Sequence, residues 1–314
     1  MKRICAALWA LLLLCACSPN ASTQEDIVTV TATTYPLYVF TCAVTDGAEG
    51  IRVERLDTGS VSCLHDYTLS VSDMKKIERS DLIVMNGAGL EDFMADALAA
   101  AHATVIDCSE GVDLLAATDH HDHDHGSDDH GHFDPHYWMA MENAGIMVEN
   151  IAAALSELDA SDAQTYRTNA MEQGLVIKAW DSQISDSFRL AEETGVKIPG
   201  LITFHDGFRY FCHAYGLDLL ESIEEEAGSE ASAKEIVEIT RLVKEQDIPV
   251  IFTEVNGSDA TAKAIVRETD CAIAQLSMCM DGPDDNLNHY LNAMLGNMAA
   301  IVNGFAGEEV VTIQ

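Results

Sequence analysis

Gly200-Leu201-Ile202-Thr203-Phe204-His205-Asp206-Gly207-Phe208 carries the decision about the fold. Gly200 to Phe204 is a short apolar, β-branched run bounded by glycine, which predicts a buried strand. Gly207 to Tyr215 then predicts a helix. A strand feeding a helix through a tight turn is half of a parallel βα unit, and the same unit recurs in both directions along the chain. Downstream, Leu217 to Ile223 predicts a strand. A capping box, Ser232-Ala233-Lys234-Glu235, opens a helix to about Gln246. Pro249 to Thr253, Ala260 to Glu268, Ala272 to Leu276 and Tyr290 to Phe305 continue as strand, helix, strand, helix. Upstream, strands are expected at Ile27–Ala32, Ile51–Leu56, Asp81–Asn86 and Thr104–Asp107. Helices are expected at Tyr35–Thr45, Ser72–Arg79, Glu91–Ala101 and Asn143–Leu158. Both halves therefore read as α/β lobes with parallel sheets flanked by helices.

Between the halves, Ser161-Asp162-Ala163-Gln164 has the pattern of a capping box, and helical character runs on to about Glu193. Ile177, Trp180, Ile184, Phe188 and Ala191 recur at steps of three and four, one face of one helix. A single helix of that length suits a rigid connector; two shorter helices broken at Gly174 are the alternative. The expected organisation is a lobe over 27–160, a connecting helix over 161–194 and a second lobe over 195–314.

The first residues stand apart from this pattern. Lys2 and Arg3 precede an apolar run from Ile4 to Leu14, too short to span a bilayer as a mature helix and flanked like a secretory signal. It ends in Leu14-Cys15-Ala16-Cys17, similar to the bacterial lipoprotein signal, which implies cleavage before a lipidated Cys17. Residues 1–17 are then signal and anchor, and 18–26 a flexible tether. The formal charge of the full chain is −35, and loss of Lys2 and Arg3 makes the mature part more acidic still. Such a surface excludes nucleic acid as a partner and attracts cations. Three of the nine cysteines lie in the signal; Cys42, Cys63, Cys108, Cys212, Cys271 and Cys279 remain, with no C-x-x-C pair and no pairing legible from their positions.

Residues 118–132 break the βα series without one apolar side chain, so they predict a surface loop. The loop interleaves His120, His121, His123, His125, His130 and His132 with aspartates, a composition that binds zinc weakly and exchanges it quickly. Three histidines stand outside it. His65 follows a strand in Cys63-Leu64-His65-Asp66-Tyr67, and His136 lies in Asp134-Pro135-His136-Tyr137-Trp138. His205 ends the strand quoted first. Ligands of parallel sheets gather at the carboxyl ends of strands, and neutral imidazoles suit zinc. Asp134 either orients His136 or only shapes a turn with Pro135.

These segments, with Ser72-Asp73-Met74-Lys75-Lys76, Ser80-Asp81-Leu82-Ile83, Phe204-His205-Asp206-Gly207-Phe208-Arg209-Tyr210-Phe211 and Ser229-Glu230-Ala231-Ser232-Ala233-Lys234-Glu235, resemble the zinc and manganese solute-binding proteins of ATP-driven importers. The resemblance spans nearly the whole mature chain. It implies two α/β lobes joined by a long helix, with one metal in the cleft between them. His65 and His136 would come from the first lobe and His205 from the second. The family usually adds a carboxylate after the last strand, which points to Asp281, with water, Cys279, Glu224 or Glu254 as alternatives. Leu64 replaces the proline usual before the first histidine. The resemblance further implies an extracytoplasmic monomer that hands zinc to the permease of an ABC transporter, and accessory zinc binding by the histidine tract. Manganese is the alternative cargo, although His205 stands where manganese-selective relatives usually carry glutamate. A secreted zinc hydrolase is a different class, and neither His-Glu-x-x-His nor Gly-x-Ser-x-Gly is present to support it. A surface adhesin or a metal-buffering lipoprotein without a transporter is the third.

Overall fold

The computed structural model describes residues 27–58, 67–117, 133–224, 231–255, 257 and 259–313. Cys17, Cys63, His65 and the histidine tract lie outside the described residues, and of Glu224 only the backbone is described.

The first half runs β1 (Val28–Ala32), α1 (Tyr35–Thr45), β2 (Ile51–Arg55), α2 (Val71–Arg79), β3 (Leu82–Met85), α3 (Ala95–Ala100), β4 (Thr104–Asp107) and α4 (Met141–Leu158). After α5 (Ala163–Glu193) come β5 (Leu201–His205), α6 (Arg209–Tyr215), β6 (Leu219–Glu224), α7 (Ala233–Glu245), β7 (Val250–Glu254), α8 (Ala260–Thr269), β8 (Ala272–Leu276) and α9 (Leu287–Ala306). The two sheets are parallel throughout, ordered β2-β1-β3-β4 and β6-β5-β7-β8. Both halves thus use one topology, in which the strand order reverses beside β1 and beside β5. Crevices for ligands open at such reversals, outside the carboxyl ends of the strands.

Strand parity sorts the core. Val30, Ala32, Leu82 and Val84 of the first sheet, and Leu201, Val250 and Phe252 of the second, share one cluster with buried side chains of α1, α4, α5 and α9. The opposite faces close separate clusters, Ile83 with Leu56, Ile77 and Met94, and Ile202, Phe204 and Ile251 with Ile239 and Ile265. The inner faces of both sheets therefore belong to one continuous core. Helix α5 runs unbroken past Gly174 for 31 residues and buries Ile177, Ile184, Phe188 and Ala191 along it, with Trp180 half-buried. Full burial of side chains such as Ile184 contributes about 1.5–3 kcal/mol each, so the connector is held to both lobes by packing.

Two local expectations are corrected. Ser161 does not cap α5: its backbone N–H and hydroxyl both donate to Asp159, so Asp162 precedes the helix with no side-chain cap. Glu91 does not open a helix: its buried carboxylate accepts the N–H groups of Asn86 at 2.8 Å and Gly87 at 2.9 Å, and only a 3-10 turn at Asp92–Met94 leads into α3. The capping box at Ser232 forms as expected, with Glu235.

Candidate metal centre

His205 ends β5, and His136 sits just before a 3-10 turn, Tyr137–Met139, that enters α4. They come from different lobes and are both buried, at 1% and 4% exposure. Their Nε2 atoms face each other at 3.2 Å with the rings nearly perpendicular. Two imidazoles presenting the same ring nitrogen to one point are suited to share a cation, because each Nε2 lone pair is available when that nitrogen is unprotonated.

The chain around His136 is fixed from several directions. Asp134 Oδ1 accepts both the backbone N–H of His136 at 3.0 Å and its Nδ1–H at 2.8 Å. That bond puts the ring proton on Nδ1 and leaves Nε2 as the acceptor. Burial by itself would push the Asp134 carboxyl up. The hydrogen bonds from His136, with the Arg209 charge beyond them, outweigh burial and hold it below the ordinary carboxylate value. Arg209 Nη1 lies 3.6 Å from Asp134 Oδ2 and donates to Ala116 O at 2.7 Å. On the other flank, Asn86 Nδ2 donates to Pro135 O at 3.0 Å, and the Tyr137 hydroxyl donates to Asn86 O. The Glu91 cradle under Asn86 and Gly87 thus supports the His136 segment from behind.

The lobes are stapled on both sides of His136. Tyr210, from the second lobe, donates its hydroxyl proton to Asp134 O at 2.9 Å and accepts from Leu115 N at 2.8 Å. Trp138 Nε1 donates to Met278 O at 2.9 Å, and the Tyr290 hydroxyl donates to Trp138 O at 2.6 Å. Gly207 permits this closeness: a Cβ there would stand 2.2 Å from Met278 Cε and 2.8 Å from His205 Cδ2.

Glu254, the last residue of β7, lies beside His205 at the strand ends. Its carboxylate is 3.8 Å from His205 Nδ1, on the side of the ring away from His136. Asp134 makes both the backbone contact of a turn former and the ring contact of an orienting group. Asp281 is exposed, on the loop after β8, where it and Asp284 add to the burial that pushes the Tyr35 hydroxyl up to about 12. Among the described residues no three His, Cys, Asp or Glu side chains converge as a metal-holding group; His136 and His205 are the two predicted ligands that face each other. Cys279 is buried, and burial pushes its thiol up to about 12. Cys42, Cys108, Cys212, Cys271 and Cys279 are free thiols.

Sequence reasoning missed Tyr210, Trp138 and Tyr290 as interlobe staples, and Arg209 as the partner of Asp134. Aromatics and a cation beside the histidine motifs were the only signal. Nothing in a one-dimensional pattern says that they reach across a cleft.

The model of a family described as zinc-uptake complex component A, periplasmic, matches residues 30–304. The zinc-binding protein AdcA of Streptococcus pyogenes serotype M1 is 29% identical over 268 residues, covering 81% of this chain and 50% of that protein. A putative metal-binding protein of Treponema pallidum (strain Nichols) is 27% identical over 287 residues, covering 88% of this chain and 87% of that one. The chain spans about half the length of the streptococcal relatives it matches. Among solved structures, the laminin-binding protein of Streptococcus agalactiae, described as bifunctional with adhesin and metal transporting activity, superposes with a TM-score of 0.74 at 24% identity. It covers 88% of this chain and 99% of its own. A Cd-bound periplasmic metal binding protein from Candidatus Liberibacter asiaticus gives 0.73 at 23% identity over the same shares. Both likenesses show the two-lobed fold.

Proposed function

Because this chain belongs to the zinc-uptake complex component A family, we propose that it captures zinc between its lobes outside the cytoplasm and delivers it to the permease of an ABC importer. The observation that carries this reading is the pair of facing Nε2 atoms, 3.2 Å apart, one from each lobe. Zinc favours four nitrogen, sulfur or oxygen ligands in a tetrahedron, with nitrogen at about 2.0–2.1 Å. A modest separation of the two imidazoles admits the ion, and His65 supplies the third nitrogen. Asp281 is the carboxylate assigned to the fourth position, and water is the alternative. A shell rich in imidazole favours zinc over manganese, which prefers oxygen. What supports binding is that Asp134 orients the His136 imidazole, the part such a carboxylate plays behind a metal ligand.

Around that tight site we place the remaining parts of the reading. Cys17 carries the lipid that holds a monomeric protein at the membrane surface. The histidine tract, His120 to His132, adds weaker zinc sites that raise the local supply. Among the described residues no helix is long and apolar enough to cross a membrane.

The decisive experiment is a zinc and manganese competition titration of the mature protein alongside its His136→Ala and His205→Ala variants. One tight zinc site, weakened by orders of magnitude in each variant and hardly filled by manganese, is expected. Wild-type zinc affinity in either variant would remove that residue from the site. Tighter manganese binding would change the cargo. Unchanged palmitate labelling of Cys17→Ser would overturn the anchor.

A further inference from the structure

The two buried histidines are each backed by a carboxylate from their own lobe, but only one of the two pairs is made. His136 Nδ1 lies 2.8 Å from Asp134 Oδ1. His205 Nδ1 lies 3.8 Å from Glu254 Oε1, and among the described residues neither His205 Nδ1 nor either Glu254 oxygen has a hydrogen-bond partner. Glu254 is 5% exposed, so its carboxylate is withdrawn from water as well. Leaving such a group unpaired is costly, and it calls for a state in which the pair closes.

The donor and acceptor complement of the rings explains why it is open. Asp134 takes the Nδ1–H of His136, so neutral His136 offers only a lone pair at Nε2. The 3.2 Å contact between the Nε2 atoms then needs its proton from His205. A neutral His205 protonated at Nε2 has a bare Nδ1, which cannot donate to a carboxylate. Two acceptors facing each other stay apart, as Nδ1 and Glu254 do.

We propose that Glu254 is the positioning residue of His205, and that metal capture moves the His205 ring proton from Nε2 to Nδ1 and so closes the Nδ1–H···Oε bond. This rests on the reading of His205 as a zinc ligand. The Nε2 proton leaves to water, the Nε2 lone pair forms the bond to zinc, and Nδ1 takes a proton from water. One ring proton is exchanged for another, so His205 releases no net proton. Glu254 is not itself a ligand in this arrangement, because it faces the opposite side of the ring from the metal. Its position follows from strand register. Thr203 pairs with Phe252, so two residues further on His205 and Glu254 end adjacent parallel strands at the same level.

The test uses the mature protein with 15N-labelled histidine, its Glu254→Gln and Glu254→Met variants, and His205→Ala as the control. Zinc alone is the probe. In the metal-free wild type His205 is expected as the Nε2–H tautomer, and with zinc as Nδ1–H with a downfield, hydrogen-bonded proton. Glu254→Met should weaken zinc by about 10- to 100-fold, the range for losing an orienting partner, and Glu254→Gln, which keeps an acceptor oxygen, by less. Metal-free thermal stability should not fall in Glu254→Gln, because the Glu254 oxygens make no hydrogen bond that the substitution would break. A merely structural glutamate would lower stability and leave the tautomers alone. Wild-type zinc affinity in both Glu254 variants, with binding lost in His205→Ala, would overturn this inference and leave the function standing. A metal-free His205 already carrying Nδ1–H on Glu254 would overturn it too, as would loss of an oxygen ligand from zinc in Glu254→Gln. Wild-type affinity in His205→Ala would instead sink the functional reading.

Discussion

Asp134→Asn separates an orienting carboxylate from a turn-forming one. Asn keeps one carbonyl oxygen for the two contacts that Asp134 Oδ1 makes with His136, at 3.0 Å to the backbone N–H and 2.8 Å to Nδ1. The turn should therefore survive. The charge is lost, and the amide NH2 is turned toward Arg209, whose guanidinium stands 3.6 Å from Oδ2. A less basic His136 holds the metal less tightly, by about 10- to 100-fold, or about 1.4–2.7 kcal/mol. Competition against a chromophoric zinc chelator at neutral pH measures it. The same variant predicts a change in acid stability of the metal-free protein. The Asp134 carboxyl is held below its ordinary value despite burial, by His136 and Arg209. Over the window between the depressed folded value and the unfolded value of about 3.9, the native state binds fewer protons than the unfolded one, so stability rises with pH. The contribution is thus present above the unfolded pKa and is lost as pH falls through the folded one. Asn lacks it, and its stability should fall less steeply in acid. Wild-type zinc affinity in a folded Asp134→Asn protein would refute the orienting role and leave only the turn.

Tyr210→Phe removes a hydroxyl that bridges Asp134 O and Leu115 N, and should destabilise the metal-free protein by about 2–3 kcal/mol through two lost hydrogen bonds and a stranded carbonyl. Thermal unfolding reads the loss, and no change would mean that the interlobe staple contributes nothing. Deleting residues 119–132 should abolish weak zinc sites and leave the tight one, by calorimetric titration; loss of the tight site would make the tract part of it. Glu91 titrates the opposite way to Asp134: burial pushes it to about 7 from 4.5 against the bonds from Thr33, Asn86 and Gly87. Below the unfolded value its contribution is fully present, and as pH rises through about 7 it is lost, because the native state keeps a proton that the unfolded chain has released. Glu91→Gln should flatten the decline of metal-free stability between those two values in chemical denaturation, and an unchanged slope would refute it.

The sequence by itself determined the α/β class, the order of nearly every element and the length of α5, because these follow from period and punctuation along the chain. Strand runs such as Leu201–His205 and the helical face of Ile177, Ile184 and Phe188 need no partner to be recognised. His136 and His205 were singled out by their company, three histidines at loop and strand-end positions in a chain that also carries a histidine tract. The tertiary structure alone decided what those histidines face. That Nε2 of one meets Nε2 of the other depends on how two sheets of like topology are set by a shared core. It decided against a cap at Ser161, where Asp159 competes for the same hydroxyl, and against a helix at Glu91, whose side chain is committed to Asn86 and Gly87. It also gave Glu254 its place, behind His205 on the side of the ring away from His136. Hydrogen bonds between residues far apart in the chain depend on direction as well as residue type, and direction exists only once the strands are paired and the lobes are packed.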